Sequence, residues 1–270
     1  MMTSLPAVEL YSIGTELLMG QIQDSNAFWM AQQIAGVGGY VRRMTVLDDE
    51  IDQMISAFQR SVERETRVII TTGGLGPTPD DLTVEAVAKL MGVEIVVNDS
   101  LLSEFMKRRG VTDRNELNPG MVKMATSPRG STVHPNPAGV APCVESTLGK
   151  TTIFNLPGPP REVEALFEQS IQGAIADLYT GNRATLRVAV NLPESEVGPL
   201  LHRVMQNHPN TYLKAYVALR EKVEGGQRLP VDIVARAESR KEAEVLLKAA
   251  RNAFTALVSE KGREVEILEQ

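Results

Sequence analysis

The sequence predicts an α/β fold: a three-layer, mostly parallel sheet covered by helices, followed by a second, smaller α+β domain. Three observations carry that reading. Over residues 6–91 short apolar segments alternate with amphipathic ones, the order that builds parallel strands joined by right-handed helical crossovers. Residues 67–72 (RVIITT) are apolar at successive rather than alternate positions, as a strand buried on both faces is. Aromatic residues make up only 4% of the 270, so the core is aliphatic, which suits helices packed on such a sheet.

Residues 6–13 (PAVELYSI) read as a buried strand running into a Gly14-Thr15-Glu16 turn. Residues 25–35 have helical spacing (Phe28, Met30, Ala31, Ile34), with Asp24 or Ser25 as cap and Gly36 as stop. Residues 40–47 form a second strand and 51–62 a second helix. After strand 67–72 comes the loop GGLGPTPDD, then a helix over 82–91 closed by Gly92. Residues 101–109 and 119–125 continue as helix, and SPRGSTVHPNPAGVAPC carries too much proline and glycine for one. Residues 143–147 and 151–155 form a hairpin about Leu148-Gly149-Lys150, and a helix spans 161–179. Thr180-Gly181-Asn182 marks the boundary between domains 1–180 and 181–270. Beyond it the order is strand (185–191), helix (196–205), two strands (212–219 and 230–237) and helix (240–257).

At 43% hydrophobic and 23% charged, the chain has ordinary globular composition and room for about two domains. Lys and Arg number 28 against 34 Asp and Glu, a net charge of −6. That is the wrong sign for neutralising many nucleic-acid phosphates, so nucleic acid is not an expected partner. Residues 181–270 hold 14 basic and 12 acidic side chains, a net +2 that leaves −8 for residues 1–180. The lone Cys143 excludes an internal disulfide and a cysteine-based zinc site. The first residues lack a basic segment followed by an apolar one, and no apolar run approaches the ~20 residues needed to span a bilayer. A cytoplasmic protein with no membrane role is the expectation.

The strongest candidate site is the loop from Thr71 to Asp81. Three glycines at the end of a buried strand let backbone N–H groups approach a ligand, and such strand ends are where open α/β sheets bind. Asp80 and Asp81 beside them suit a divalent metal bridging protein and phosphate oxygens. Neither standard phosphate fingerprint fits: Pro79 stands where a dinucleotide loop wants glycine, and no Gly-Lys-Ser/Thr closes the loop. As architecture alone, the same residues make a tight turn in which Asp80 or Asp81 caps the next helix. Asp48-Asp49-Glu50 follows the neighbouring strand, so Asp48 could share a metal with Asp81; alone it reads as another cap. Glu16 after the first strand has the same logic, and Asp24-Ser25-Asn26 opens a helix whose N–H groups suit an anion. The loops at 136–142 and 156–162 are rigid and able to line a pocket.

Other motifs fail. Val144 stands where a P-loop ending in Gly149-Lys150-Thr151 needs glycine, and Arg161-Glu162-Val163-Glu164-Ala165 lacks the second acidic pair of a Nudix box. His134, His202 and His208 have no metal-ligand spacing, and no Gly-x-Ser-x-Gly elbow exists.

The motifs together resemble a known family. Ile13-Gly14-Thr15-Glu16-Leu17-Leu18, Gly20-Gln21-Ile22, Asp24-Ser25-Asn26, residues 71–83 and Leu156-Pro157-Gly158 look like the N-terminal region of the CinA (competence/damage-inducible) family. That region is similar to the molybdopterin-binding (MoaB/MogA-like) fold of molybdenum-cofactor biosynthesis. The likeness covers residues 6–180 and continues more loosely, with Tyr212-Leu213-Lys214 matching a Tyr-x-Lys segment of the family's small second domain. It implies a metal-dependent nucleotide diphosphate hydrolase, an ADP-ribose pyrophosphatase using Mg²⁺, Mn²⁺ or Co²⁺, and K⁺. On that reading Asp48, Asp81 and Glu16 are catalytic, and Asp48, Asp80 and Asp81 hold the metal. Gly73, Gly74, Gly76, Thr78, Asn26, Asn136 and Gly158 contact the substrate, a small-molecule nucleotide or pterin phosphate. The alternatives are a molybdopterin-binding or adenylyl-transfer protein using the same loop, and a non-catalytic binding module. The resemblance also implies a homo-oligomer, dimer or trimer. The C-terminal nicotinamide-mononucleotide deamidase domain common in CinA proteins is not expected in a chain ending at Gln270.

Overall fold

The computed structural model describes residues 6–179, 183–223, 226–237 and 239–269. The chain divides into two compact units, Met1–Leu178 and Tyr179–Gln270. The expected boundary at Thr180-Gly181-Asn182 lies outside the described residues.

In the first unit β1 (Val8–Ile13) leads into α1 (Thr15–Leu18) and α2 (Asn26–Gly36), β2 (Val41–Leu47) into α3 (Ile51–Glu63), and β3 (Val68–Thr72) into α4 (Thr83–Met91). A small lobe follows: β4 (Ile95–Val97), α5 (Asp99–Arg109), α6 (Pro119–Met124) and β5 (Thr126–Pro128), with β4 and β5 paired antiparallel. Then come β6 (Thr132–His134), β7 (Cys143–Leu148), β8 (Thr151–Leu156) and α7 (Pro160–Leu166). A π-helical turn (Phe167–Ile171) carries α7 into α8 (Gln172–Leu178). The sheet runs β2-β1-β3-β8-β7-β6. Its first four strands are mutually parallel, and β7 and β6 extend it in antiparallel pairs.

β1 and β3 are buried at every position, as strands covered on both faces are, and the polar Glu9, Ser12, Thr71 and Thr72 are buried with the apolar residues. Tyr11, Ile13, Ile69 and Ile153 face Met54 and Phe58 of α3 and Ala86 and Val87 of α4. α2 and α7 pack on β1 and β8. This is the expected three-layer arrangement.

One polar cluster lies inside it. Glu9 on β1 is fully buried, and its carboxylate accepts from Arg64 Nη2 at 2.7 Å, Ser61 Oγ at 2.6 Å and Arg42 Nε at 2.9 Å. Burial alone would raise its pKa, but these bonds and the Arg64 charge hold it down at about 2. The cluster ties β2 and the end of α3 to β1.

The second unit contains β9 (Arg183–Val190), α9 (Glu194–Asn207), β10 (Thr211–Ala215), β11 (Glu221–Val223), β12 (Gly226–Arg236), α10 (Arg240–Ser259) and β13 (Val265–Glu269). An antiparallel sheet, β10-β12-β9-β13, packs Val188, Ile233 and Leu213 against Leu201 and Val204 of α9 and Phe254 of α10.

The structure departs from expectation where elements are short or charged. The Gly14 turn tightens into α1, and β4, β5 and β6 are three-residue strands too brief for periodicity to show. The expected strand over 212–219 ends at Ala215, where a 3-10 turn (Val217–Leu219) begins. β13 lies beyond the expected elements, because two of its five residues are glutamates and leave no apolar run. Among the described residues no helix is long and apolar enough to cross a membrane.

Candidate active site

Because β1, β2, β3 and β8 are parallel, their carboxyl ends finish side by side, and the loops leaving them converge. They enclose a cleft of about 450 Å³. Gly73, Gly74, Gly76 and Gly158 line it with backbone, and Glu16, Asp49, Asp80, Asp81 and Glu162 line it with carboxylates. No Lys, Arg or His is among the lining residues.

The glycine loop is anchored on both sides. Gly73 N donates to Leu156 O at 3.0 Å, and Thr83 Oγ1, at the start of α4, donates to Gly73 O at 2.9 Å. Gly73 has φ 96°, and a Cβ there would lie 2.2 Å from Ile13 O. Only glycine fits that approach. Gly73→Ala is therefore expected to cost about 1–3 kcal/mol in urea unfolding at neutral pH; a variant as stable as the parent would contradict the packing described.

Asp81 does not cap α4. The cap position is Leu82, which makes no side-chain capping bond, while Asp81 Oδ2 accepts Thr78 N at 2.7 Å and Thr78 Oγ1 at 2.5 Å. Lys123 Nζ donates to Thr78 O at 2.6 Å and braces the same turn. Thr78, expected at the substrate, instead holds Asp81 in place. Asp80 is exposed, and the Thr78 side chain, its own backbone N–H and the Lys123 charge hold its carboxyl below the ordinary range.

After β2 the adjacent aspartates divide their roles. Asp48 Oδ1 accepts Thr15 Oγ1 and, at 2.9 Å, Asp49 N. Asp49 Oδ2 accepts Thr15 N at 2.8 Å and Thr15 Oγ1 at 2.9 Å, and it is Asp49 that lines the cleft. Asp48, expected as a catalytic and metal-holding residue, is bonded to Thr15 and is not among the residues that line the cleft.

Asn26 and Asn136 also turn out to position neighbours. Asn26 Nδ2 donates to Gly158 O at 2.8 Å, tying α2 to the loop after β8. Asp24 accepts Ser12 Oγ at 2.6 Å and Ala27 N at 3.1 Å, fixing the start of that helix. Asn136 is buried, its amide donating to Ala141 O at 2.7 Å and Glu162 Oε2 at 2.6 Å. Expected at the substrate, Asn136 in this structure supports Glu162. Burial raises the Glu162 pKa above the ordinary carboxylate range, and the Asn136 bond opposes that rise.

Sequence reasoning missed Asp49, Thr15 and Glu162 as site residues. All three stand inside motifs already noticed, but their roles depend on partners 26 to 34 residues away. Among the described residues, no group of three His, Cys, Asp or Glu could hold a metal ion by itself.

Comparison with known proteins agrees with this architecture. Residues 9–177 match the family described as "Probable molybdopterin binding domain". A protein of Pyrobaculum arsenaticum is 37% identical over 261 residues, covering 95% of this chain and 96% of its own. A CinA-like protein of Kosmotoga olearia is 34% identical over 245 residues, 88% of this chain but 56% of that longer one. The crystal structure of CinA from Thermoplasma acidophilum superposes with a TM-score of 0.59 at 32% identity, covering 63% of this chain and 98% of that one. The chain belongs to the molybdopterin-binding-domain family and is CinA-like.

Proposed function

We propose that the cleft hydrolyses a nucleotide diphosphate, ADP-ribose, to AMP and ribose 5-phosphate with a divalent cation. The observation that carries this reading is the mismatch in its lining. Glycine N–H groups suit phosphate, yet five carboxylates and no Lys, Arg or His line the cleft with them, and Lys123 beside the glycine loop is engaged by Thr78 O. Such a lining repels a bare diphosphate and accepts one whose charge a metal balances.

The donor set fits a hard cation, since five of the side chains lining the cleft offer carboxylate oxygens. Mg²⁺ is usually held by one or two carboxylates together with substrate phosphates, which needs no three-residue cage. Asp80 and Asp81 on one loop would hold it together with the substrate phosphates, and Asp49, after β2, adds a third carboxylate to the cleft lining. When bound, the cation lowers the pKa of its water and offsets charge on the diphosphate. The chain's own residues do the rest. Backbone N–H groups of Gly74 and Gly76 cradle phosphate oxygens, while the Gly73 N–H, which donates to Leu156 O, fixes the loop that carries them. Glu16 takes the proton from the attacking water as its oxygen bonds phosphorus and the bridging P–O bond breaks. Thr15 and Thr78 orient Asp49 and Asp81 through their hydrogen bonds. Assembly as a dimer or trimer belongs to the same proposal, and light scattering of the purified chain measures it.

The family match favours a second reading, a pterin phosphate bound on the same loop. The two separate in one assay. The chain is incubated with ADP-ribose, K⁺ and Mg²⁺, Mn²⁺ or Co²⁺, and AMP is followed by chromatography. AMP formed only with a divalent cation is the expected result. No AMP with any of the three sinks the hydrolase, and molybdopterin binding is then the measurement to make.

A further inference from the structure

Glu162 lies in the cleft but takes no part in the hydrolysis described above. It stands in the first turn of α7, and Asn136 Nδ2 donates to its Oε2 at 2.6 Å. Asn136 is only 3% exposed, and its other groups are occupied: it donates to Ala141 O at 2.7 Å and accepts Ala138 N at 2.9 Å. The amide is thus locked, and it fixes the direction of the carboxylate. Gly139 lies against the same group, where a Cβ would come within 2.2 Å of the carboxyl carbon, so the loop has been shaped around Glu162.

Glu162 Oε1 has no hydrogen-bond partner among the described residues. The cleft around it contains no cationic side chain. A fixed acceptor oxygen in such a place calls for a hydroxyl or N–H donor from the ligand. The glycine loop of the same cleft presents N–H donors and calls for phosphate acceptors. In a nucleotide diphosphate the ribose hydroxyls are the neutral donors nearest the phosphates, nearer than any group of the base. Val140 and Ala141, from the loop that carries Asn136, line the cleft and offer apolar surface to the sugar ring.

We propose that Glu162, oriented by Asn136, is the specificity residue that accepts hydrogen bonds from the ribose hydroxyls of the bound nucleotide. The inference rests on the nucleotide reading above and adds a selection: ribonucleotides over 2′,3′-dideoxy analogues. Burial of Glu162, which raises its pKa, agrees with a carboxylate partly shielded from water.

The test is calorimetric titration in Mn²⁺ of the parent chain and Glu162→Gln with AMP, 2′,3′-dideoxy-AMP and inorganic pyrophosphate. The parent is expected to bind AMP about tenfold or more tightly than the dideoxy analogue. Glu162→Gln is expected to lose that margin while binding pyrophosphate as the parent does. The dideoxy comparison on the parent stands even if the variant fails to fold. Equal affinity of the parent for both nucleotides, or a variant that binds AMP unchanged or weakens pyrophosphate equally, overturns the inference alone. A parent that binds pyrophosphate but no nucleotide overturns the nucleotide reading and this inference together.

Discussion

Asp81→Asn is expected to lower the rate of AMP release by a factor of about 10²–10³, with a normal unfolding curve. Asparagine keeps the side-chain oxygen that accepts Thr78 N and Thr78 Oγ1, so the turn keeps its shape. What it removes is the negative charge in the cleft. The rate is measured at saturating ADP-ribose and cation, beside a urea curve for each protein. Undiminished turnover would remove Asp81 from the site. Two companions sharpen the result. Asp49→Asn should fall much further than Asp48→Asn, because Asp49 is among the residues lining the cleft and Asp48 is not. The reverse order would restore the sequence-based assignment of Asp48.

Glu9→Gln is expected to destabilise the first unit by about 3 kcal/mol at pH 7. The Glu9 carboxyl is fully buried and titrates at about 2 instead of an ordinary 4.5, because Arg64, Ser61 and Arg42 outweigh the opposing effect of burial. The native fold therefore favours the charged form. Its contribution is complete above about pH 4.5 and is lost as pH falls toward 2. At about 1.4 kcal/mol per pKa unit, that difference gives the same figure of roughly 3 kcal/mol. Urea unfolding of both proteins at pH 7, 4 and 3 should show the gap narrowing as the acid protonates. A gap below about 1 kcal/mol at pH 7, or one that does not narrow, would contradict the buried-network account.

The parts legible in sequence are those where one physical signal dominates. β3 shows as a run of successive apolar residues, as a strand covered on both faces does, β8 shows as one arm of a hairpin, and Gly73-Gly74-Leu75-Gly76 shows because its backbone needs glycine. The cleft follows from parallel strands ending together. Short strands such as β4 and β6 carry too few residues to display a period. The difference between Asp48 and Asp49 is invisible from the chain, since adjacent residues leaving a strand differ only in direction, and Thr15 bonds both. Glu162 read as part of a proline turn because Asn136, which orients it, comes from a loop before two intervening strands. Asn136 shows in the sequence by its polar amide, but its bond to Glu162 does not, for the same reason.

The central claim is that a carboxylate-lined cleft binds a diphosphate only through a divalent cation. Equilibrium titration of ADP-ribose into the chain, once with Mn²⁺ and once with EDTA, tests it most directly. The account predicts saturable binding with Mn²⁺ and none in EDTA. Equal affinity in the two buffers would contradict it, since the diphosphate would then be held without the charge balance that the five carboxylates demand.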